Sequence, residues 1–185
     1  MAAALGRSIE NKDILPCLRG TSWTGGGGWL ICPFSSRWSK DYAPERWVSA
    51  LRKVGAVRSA RVIRVAGAPE QSDRISEFAA LLRLALPDCP VEALAPLPLD
   101  QFVASVARAD LLLTVDTAAA HLACALDAPA VVIHSGQHPG VYGPYSRSGR
   151  QIWLLGDRER LGRKFWQDSV PPEAVSAAIE RALGA

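Results

Sequence analysis

Short apolar, β-branched runs alternate with longer amphipathic runs along most of the chain, which is the pattern of βαβ units. Residues 29–33 (WLICP) predict a first strand. A helix follows from Pro44, with Glu45 in its first turn and Trp47, Leu51 and Val54 facing inward. Residues 61–66 predict a second strand and 67–69 a turn. A second helix spans 70–86, where Ile75, Phe78, Leu82 and Leu86 recur at helical spacing until Pro87 ends it. A strand over 91–94 leads to a short helix over 101–108 with Asp100 as its N-cap. The continuous apolar run LLLTV, 111–115, belongs at the buried centre of a parallel sheet. A helix over 117–126, a strand over 130–134, an edge strand over 151–155 and a closing helix over 172–183 complete the series. The expected fold is α/β, a single doubly wound, mainly parallel Rossmann-like sheet over residues 29–185.

Residues 1–28 break the pattern. They carry four consecutive glycines, Gly25 to Gly28, and no element before them. A glycine run is costly to order, so this segment is expected to be a flexible lead-in or linker. It is no dinucleotide fingerprint either, because it precedes a strand instead of joining a strand to a helix.

Composition narrows the possibilities. At 185 residues, 49% hydrophobic and 21% charged, the chain suffices for one well-buried domain and is short for two. Its 21 basic and 18 acidic residues are spread along the chain, so the net charge of +3 does not call for nucleic acid. Cys17, Cys32, Cys89 and Cys124 lie far apart with no CxxC pair, which implies neither a zinc site nor a disulfide framework and fits a reduced cytoplasmic protein. The start, MAAALGRSIENKD, lacks the apolar core of roughly 7 to 15 residues that a signal peptide needs. The longest apolar region, near 117–133, is interrupted by His121 and Asp127 and is no membrane span.

Three clusters carry candidate chemistry. In open parallel sheets ligands bind beyond the carboxyl ends of the strands, where Asp116, Thr117 and His121 follow LLLTV. A helix starting there aims its backbone N–H groups and positive dipole end at the crevice, as a phosphate requires. Asp116 can cap that helix, Thr117 adds a hydroxyl, and the small residues from Ala118 to Ala120 admit a diphosphate close to the backbone. A plainer account is that Asp116 only caps and His121 is a buried core histidine. Leaving the first strand, Ser35, Ser36, Arg37 and Lys40 make an anion cradle, with Lys40 the point charge and Arg37 the forked donor. After the second strand, Glu70 and Asp73 stand where a carboxylate accepts ribose hydroxyls, although acids in a first helical turn are favoured anyway.

The segments PFSSRWSKDYAPERW, VAGAPE and LDQFVASVARADLLLTVDTAAAHLACALDAPAVVIHSG, in this order, resemble the C-terminal half of glycosyltransferase family 9, the ADP-heptose:lipopolysaccharide heptosyltransferase family. The resemblance covers about residues 29 to 145, and its most specific part is the Asp-Thr-x-x-x-His-x-Ala core after an ADL strand. It implies half of a GT-B fold, in which two Rossmann-like domains face each other and the C-terminal one holds the nucleotide-sugar donor. On that basis Ser35, Ser36 and Lys40 match the family's hydroxyl and lysine contacts to the donor diphosphate. Asp116, Thr117, Ala118 and His121 match the helix mouth over the same phosphates, and Glu70 is the candidate ribose contact. The family has Gly where this chain has Ala118.

The resemblance also implies a metal-independent transfer with no cofactor, the substrate being a nucleoside-diphosphate sugar, ADP-linked for preference. The family's N-terminal domain, with its acceptor site and general base, has no counterpart in residues 1–28, and Glu10 and Asp13 on a loose tail cannot hold a base in reach of an acceptor hydroxyl. A separate acceptor-binding domain or chain is therefore the expected partner. Two alternatives stand beside the transferase: a non-catalytic nucleotide or sugar-nucleotide binding module, and a small sugar-nucleotide hydrolase or epimerase using His121 or Asp116 as base. Gln137 and His138, with the loop over 140–145, are placed to touch ribose or sugar, or form a plain turn. His121, His134 and His138 show no metal-ligand spacing. The stretch DRERLGRK, 157–164, with Phe165 and Trp166, fits a solvated helix, or at most peripheral contact with an anionic glycolipid surface.

Overall fold

The computed structural model of the protein describes residues 18–139, 143–146 and 148–184. Six strands, β1 (Trp29–Cys32), β2 (Ile63–Val65), β3 (Val91–Ala93), β4 (Leu111–Val115), β5 (Ala130–His134) and β6 (Gln151–Leu155), form one sheet in the order β3-β2-β1-β4-β5-β6. Every pairing is parallel. The helices are α1 (Pro44–Leu51), α2 (Ser72–Ala85), α3 (Leu99–Arg108), α4 (Ala118–Leu126), α5 (Arg158–Phe165) and α6 (Pro172–Ala182). The doubly wound α/β sheet expected from the pattern is therefore the fold. Strand order reverses between β1 and β4, so the chains leaving their carboxyl ends diverge and open a crevice there. No helix among the described residues is long and apolar enough to cross a membrane.

Period-2 alternation divides the core. Trp29 and Ile31 of β1, with Ile63, Leu111, Leu113, Val131 and Ile133, face α1, α2 and α6, which contribute Trp47, Phe78, Leu82 and Ile179. Leu30 and Cys32, with Leu112 and Val132, face α3 and α4, which contribute Ala107, Ala119, Ala120 and Ala123.

Several boundaries differ from expectation for local reasons. Pro98 (φ −53°, ψ 152°), not Asp100, is the N-cap of α3, and Asp100 lies in its first turn, where a carboxylate suits the dipole. The second helix is preceded by a 3₁₀ turn, Pro69–Gln71, in which the Gln71 side-chain oxygen accepts from the Ala68 N–H at 3.0 Å. Helix α5 has no buried residue; Arg160, Arg163 and Lys164 are exposed, whereas Arg158 is half-buried with its Nη1 on the Ser39 carbonyl at 3.4 Å.

The segment expected as a flexible lead-in joins the domain before residue 29. Trp23 donates its backbone N–H to Leu126 and its indole N–H to Ala109, and Thr24 and Gly27 donate to carbonyls at the end of α3. Asp110 accepts from the N–H groups of Gly26 (2.5 Å) and Gly28 (2.9 Å). Gly28 has φ 81°, and a Cβ there would lie 2.5 Å from the Val62 carbonyl oxygen, so the last glycine is required by close backbone approach, not by a joint. Cys17, Glu10 and Asp13 lie outside the described residues.

Candidate functional site

The loop leaving β1 is held from beneath. Asp41, buried, accepts the Ser35 backbone N–H at 2.6 Å and the Arg74 guanidinium of α2 at 2.6 Å. Arg74 in turn lies over the Phe34 ring, 3.9 Å from its centroid. The Ser35 hydroxyl accepts the Arg37 N–H at 3.1 Å, and a 3₁₀ turn over Trp38–Lys40 carries Lys40 across to β4. There its Nζ meets Asp116 Oδ2 at 2.7 Å, with the Asp116 side chain 2% exposed.

Asp116 therefore does not cap α4, as was expected of it, because its carboxylate is turned to Lys40. Thr117 (φ −142°, ψ −179°) is the N-cap residue, its hydroxyl makes no capping bond, and it lies 3.2 Å from the Thr114 hydroxyl instead. The start of α4 thus presents N–H groups without a side-chain acceptor, beside the exposed Ala118. The fully buried His134 closes the floor: its Nδ1 accepts the Gly136 N–H at 2.9 Å, which places the proton on Nε2, 3.6 Å from Asp116 Oδ2. Burial lowers the pKa of His134, with Asp116 opposing and Lys40 assisting, and His121 is lowered by burial with the same opposition from Asp116 and assistance from Lys40.

One cavity of about 430 Å³ gathers the predicted residues: Ser35, Ser36, Arg37 and Lys40 after β1, Asp116, Thr117, Ala118 and His121 after β4, and Gln137 and His138 after β5. A second, more apolar cavity of about 250 Å³ adjoins it through Ser36, Thr117 and Ala118. Phe34, Gln71, Leu97 and Phe102 line this second space and were not anticipated, since a Leu or Phe at helical spacing looks like core. Glu70 lines neither cavity; its side chain is exposed between Pro69 and Gln71, which do line the second. Asp73 likewise lines neither.

Of the loop over 140–145, residues 140–142 lie outside the described residues. Tyr145 stacks on His121 with ring centroids 5.7 Å apart, hydrogen-bonds its Nδ1, and is anchored by the Trp153 indole N–H on its carbonyl at 2.8 Å. Among the described residues no group of three His, Cys, Asp or Glu side chains is arranged to hold a metal ion.

The profile of glycosyltransferase family 9 (heptosyltransferase) matches residues 24–165. Among solved structures, the E. coli heptosyltransferase WaaC with ADP is similar at 23% identity and a TM-score of 0.68, covering 98% of this chain and 53% of that one. The E. coli ADP-heptose lps heptosyltransferase II is similar at 17% identity and 0.67, covering 86% and 47%. A family 9 glycosyl transferase from Veillonella parvula is similar at 20% and 0.68, covering 84% and 45%. At these identities the likeness is one of fold, and the chain spans about half the length of each solved chain. Among curated proteins there is no match.

Proposed function

The chain belongs to glycosyltransferase family 9, and on that premise we propose that it binds the diphosphate of a nucleoside-diphosphate sugar in the crevice between β1 and β4 and serves as the donor half of a sugar transferase. One observation carries this reading: a single cavity brings together the hydroxyls and cations after β1 and the uncapped start of α4. The adjoining apolar cavity takes the base, with Phe34 and Phe102 as its flat walls. ADP is the favoured nucleotide, because WaaC, similar over nearly all of this chain, is solved with ADP.

In the transfer, the bond from the anomeric carbon to the β-phosphate oxygen breaks and negative charge gathers on the departing diphosphate. Lys40, Arg37, the Thr117 hydroxyl and the N–H groups opening α4 stand where that charge develops and lower its energy without rearrangement. Asp116 holds the Lys40 ammonium at the cavity wall. The sugar passes to a saccharide or glycolipid hydroxyl, the acceptor class of lipopolysaccharide assembly. The base that deprotonates that hydroxyl comes from a separate acceptor-binding domain or chain. Asp116 is buried and engaged by Lys40, and His121 is engaged by Tyr145, which weighs against a hydrolase or epimerase using either as base. Among the described residues Cys32 and Cys89 are buried free thiols, in keeping with work in the cytoplasm.

Thermal melting against ADP, UDP, GDP and their sugar conjugates tests the reading. At about 100 times the dissociation constant, a bound diphosphate adds about 2.7 kcal/mol of stability. A shift with ADP and its sugars is expected; no shift with any diphosphate removes the donor reading. A non-catalytic module is separated from it by adding a family 9 acceptor domain and looking for sugar transfer.

A further inference from the structure

A third cavity, of about 420 Å³, is lined by the backbone of Gly26, Gly27 and Gly28, by Arg61 and Arg64 around β2, and by Gln101, Ser105 and Arg108 of α3. Among the described residues three arginines and no carboxylate line it. Arg64 is out of place for a central parallel strand, which is ordinarily apolar on both faces, yet register sets it between Leu30 of β1 and Glu92 of β3. Its side chain is 36% exposed, with Nε on Glu92 at 3.0 Å and Nη1 on the Gly27 carbonyl.

Glu92 pairs with Arg64 and leaves Arg61 and Arg108 as the cations available to a ligand. The carboxylate of Asp110, beside Arg108 at the end of α3, has both oxygens engaged by the N–H groups of Gly26 and Gly28. Arg61 makes one long contact, Nη1 to the Gly26 carbonyl at 3.4 Å, and Arg108 is exposed. Two planar guanidinium forks therefore face a space large enough for an organic phosphate, with Leu94 and Leu97 as an apolar wall on one side.

We propose that this cavity is a second anion site, binding the phosphoryl group of a phosphate ester through Arg61 and Arg108, apart from the crevice between β1 and β4. The site does not depend on the donor reading. Soluble phosphate esters and phospholipid headgroups share the required chemistry.

The test uses Lys40→Ala protein, in which the donor crevice is weakened, titrated calorimetrically with inorganic pyrophosphate and, separately, sedimented with phosphatidylcholine vesicles containing phosphatidylglycerol. Further substitution of Arg61→Ala or Arg108→Ala is expected to weaken binding in at least one arm about tenfold, the size of one lost charge-assisted hydrogen bond. Arg160→Ala, which removes the same charge from α5, is expected to leave it unchanged. Pyrophosphate binding identifies a soluble ligand, and vesicle binding alone identifies a headgroup. Arg64 is left intact because it ties β2 to Gly27 and Glu92, and a normal ADP-induced melting shift in Arg61→Ala and Arg108→Ala protein that retains Lys40 shows that both fold. Binding equal to that of the Lys40→Ala parent in both arginine variants overturns the proposal, as does absence of binding in both arms or an equal loss in Arg160→Ala. If ADP gives no shift in any variant while pyrophosphate binding still tracks Arg61 and Arg108, the donor reading fails and the second site stands; melting temperature then reports folding.

Discussion

The two faces of the sheet are built from side chains of different size. Under α1, α2 and α6 lie the large buried rings: Tyr42 and Trp47 meet edge to face at 5.4 Å and 84°, and Phe78 and Trp166 are buried beside the same strands. Under α3 and α4 the helices contribute chiefly alanine, at Ala107, Ala119, Ala120 and Ala123. Large residues hold their helices off the sheet and remove much apolar area from water. Small ones let α4 settle close to β4 and β5, so that its first backbone turn becomes a wall of the crevice. All three of these cavities draw on α3 or α4. Stability and ligand contact thus fall largely on opposite faces, and variants should separate them.

The largest effect is expected from Trp47→Ala, which leaves a cavity in the large-residue face and costs about 3–5 kcal/mol of unfolding free energy. Denaturant titration measures it, and diphosphate affinity of the remaining folded protein should be unaltered. A loss below about 1 kcal/mol would break the contrast between the faces. Next come Lys40→Ala and Thr117→Ala, each expected to weaken nucleoside-diphosphate binding by roughly 1.5–3 kcal/mol by calorimetry. Unchanged affinity in both would remove the crevice assignment.

Ala123→Leu sharpens the comparison from the other side. Overpacking the small-residue face should cost about 1–3 kcal/mol and, unlike Trp47→Ala, also weaken diphosphate binding by moving α4. If stability falls and affinity does not, α4 reaches the crevice without needing its alanines.

The smallest effect is the dependence of stability on pH. Burial lowers the folded-state pKa of His121 and His134 below the ordinary value of 6.5. Above that value both states are neutral and stability is complete. Below it the unfolded chain takes up protons that the folded protein refuses, so stability falls with pH until the folded-state values are passed. His134→Phe should flatten this part of the slope in melting curves taken between about pH 7.5 and pH 5. An unchanged slope would mean that His134 is not held neutral.

The strands of the crevice were the most legible part of the chain. LLLTV and AVVIH fall on nearly continuous apolar runs, as strands buried on both faces require, and their polar members, Thr114 and His134, are buried with hydrogen-bond partners. The residues gathered in the crevice were also visible, since strand mouths are where an open parallel sheet places ligands. Their partners were not. Asp116 looked like a cap because Asp before a helix ordinarily caps, and the ammonium that claims it lies 76 residues earlier. The glycine run looked like a joint because its hydrogen-bond acceptors, Ala107, Arg108 and Asp110, are distant in sequence. Glu70 matched a position in the chain but not a place in the crevice, as the 3₁₀ turn points Gln71 inward and Glu70 out.

By itself, then, the sequence determined the alternation of strands and helices, the parallel sheet and the strand ends at which polar residues cluster, because periodicity and burial are local consequences of residue order. Only the tertiary structure decided that Lys40 holds Asp116, that Asp41 pins Ser35, and that three arginines share one cavity. Coulomb and hydrogen-bond energies depend on distance through space, and the strand order β1-β4 that sets those distances is written in no single stretch of the chain.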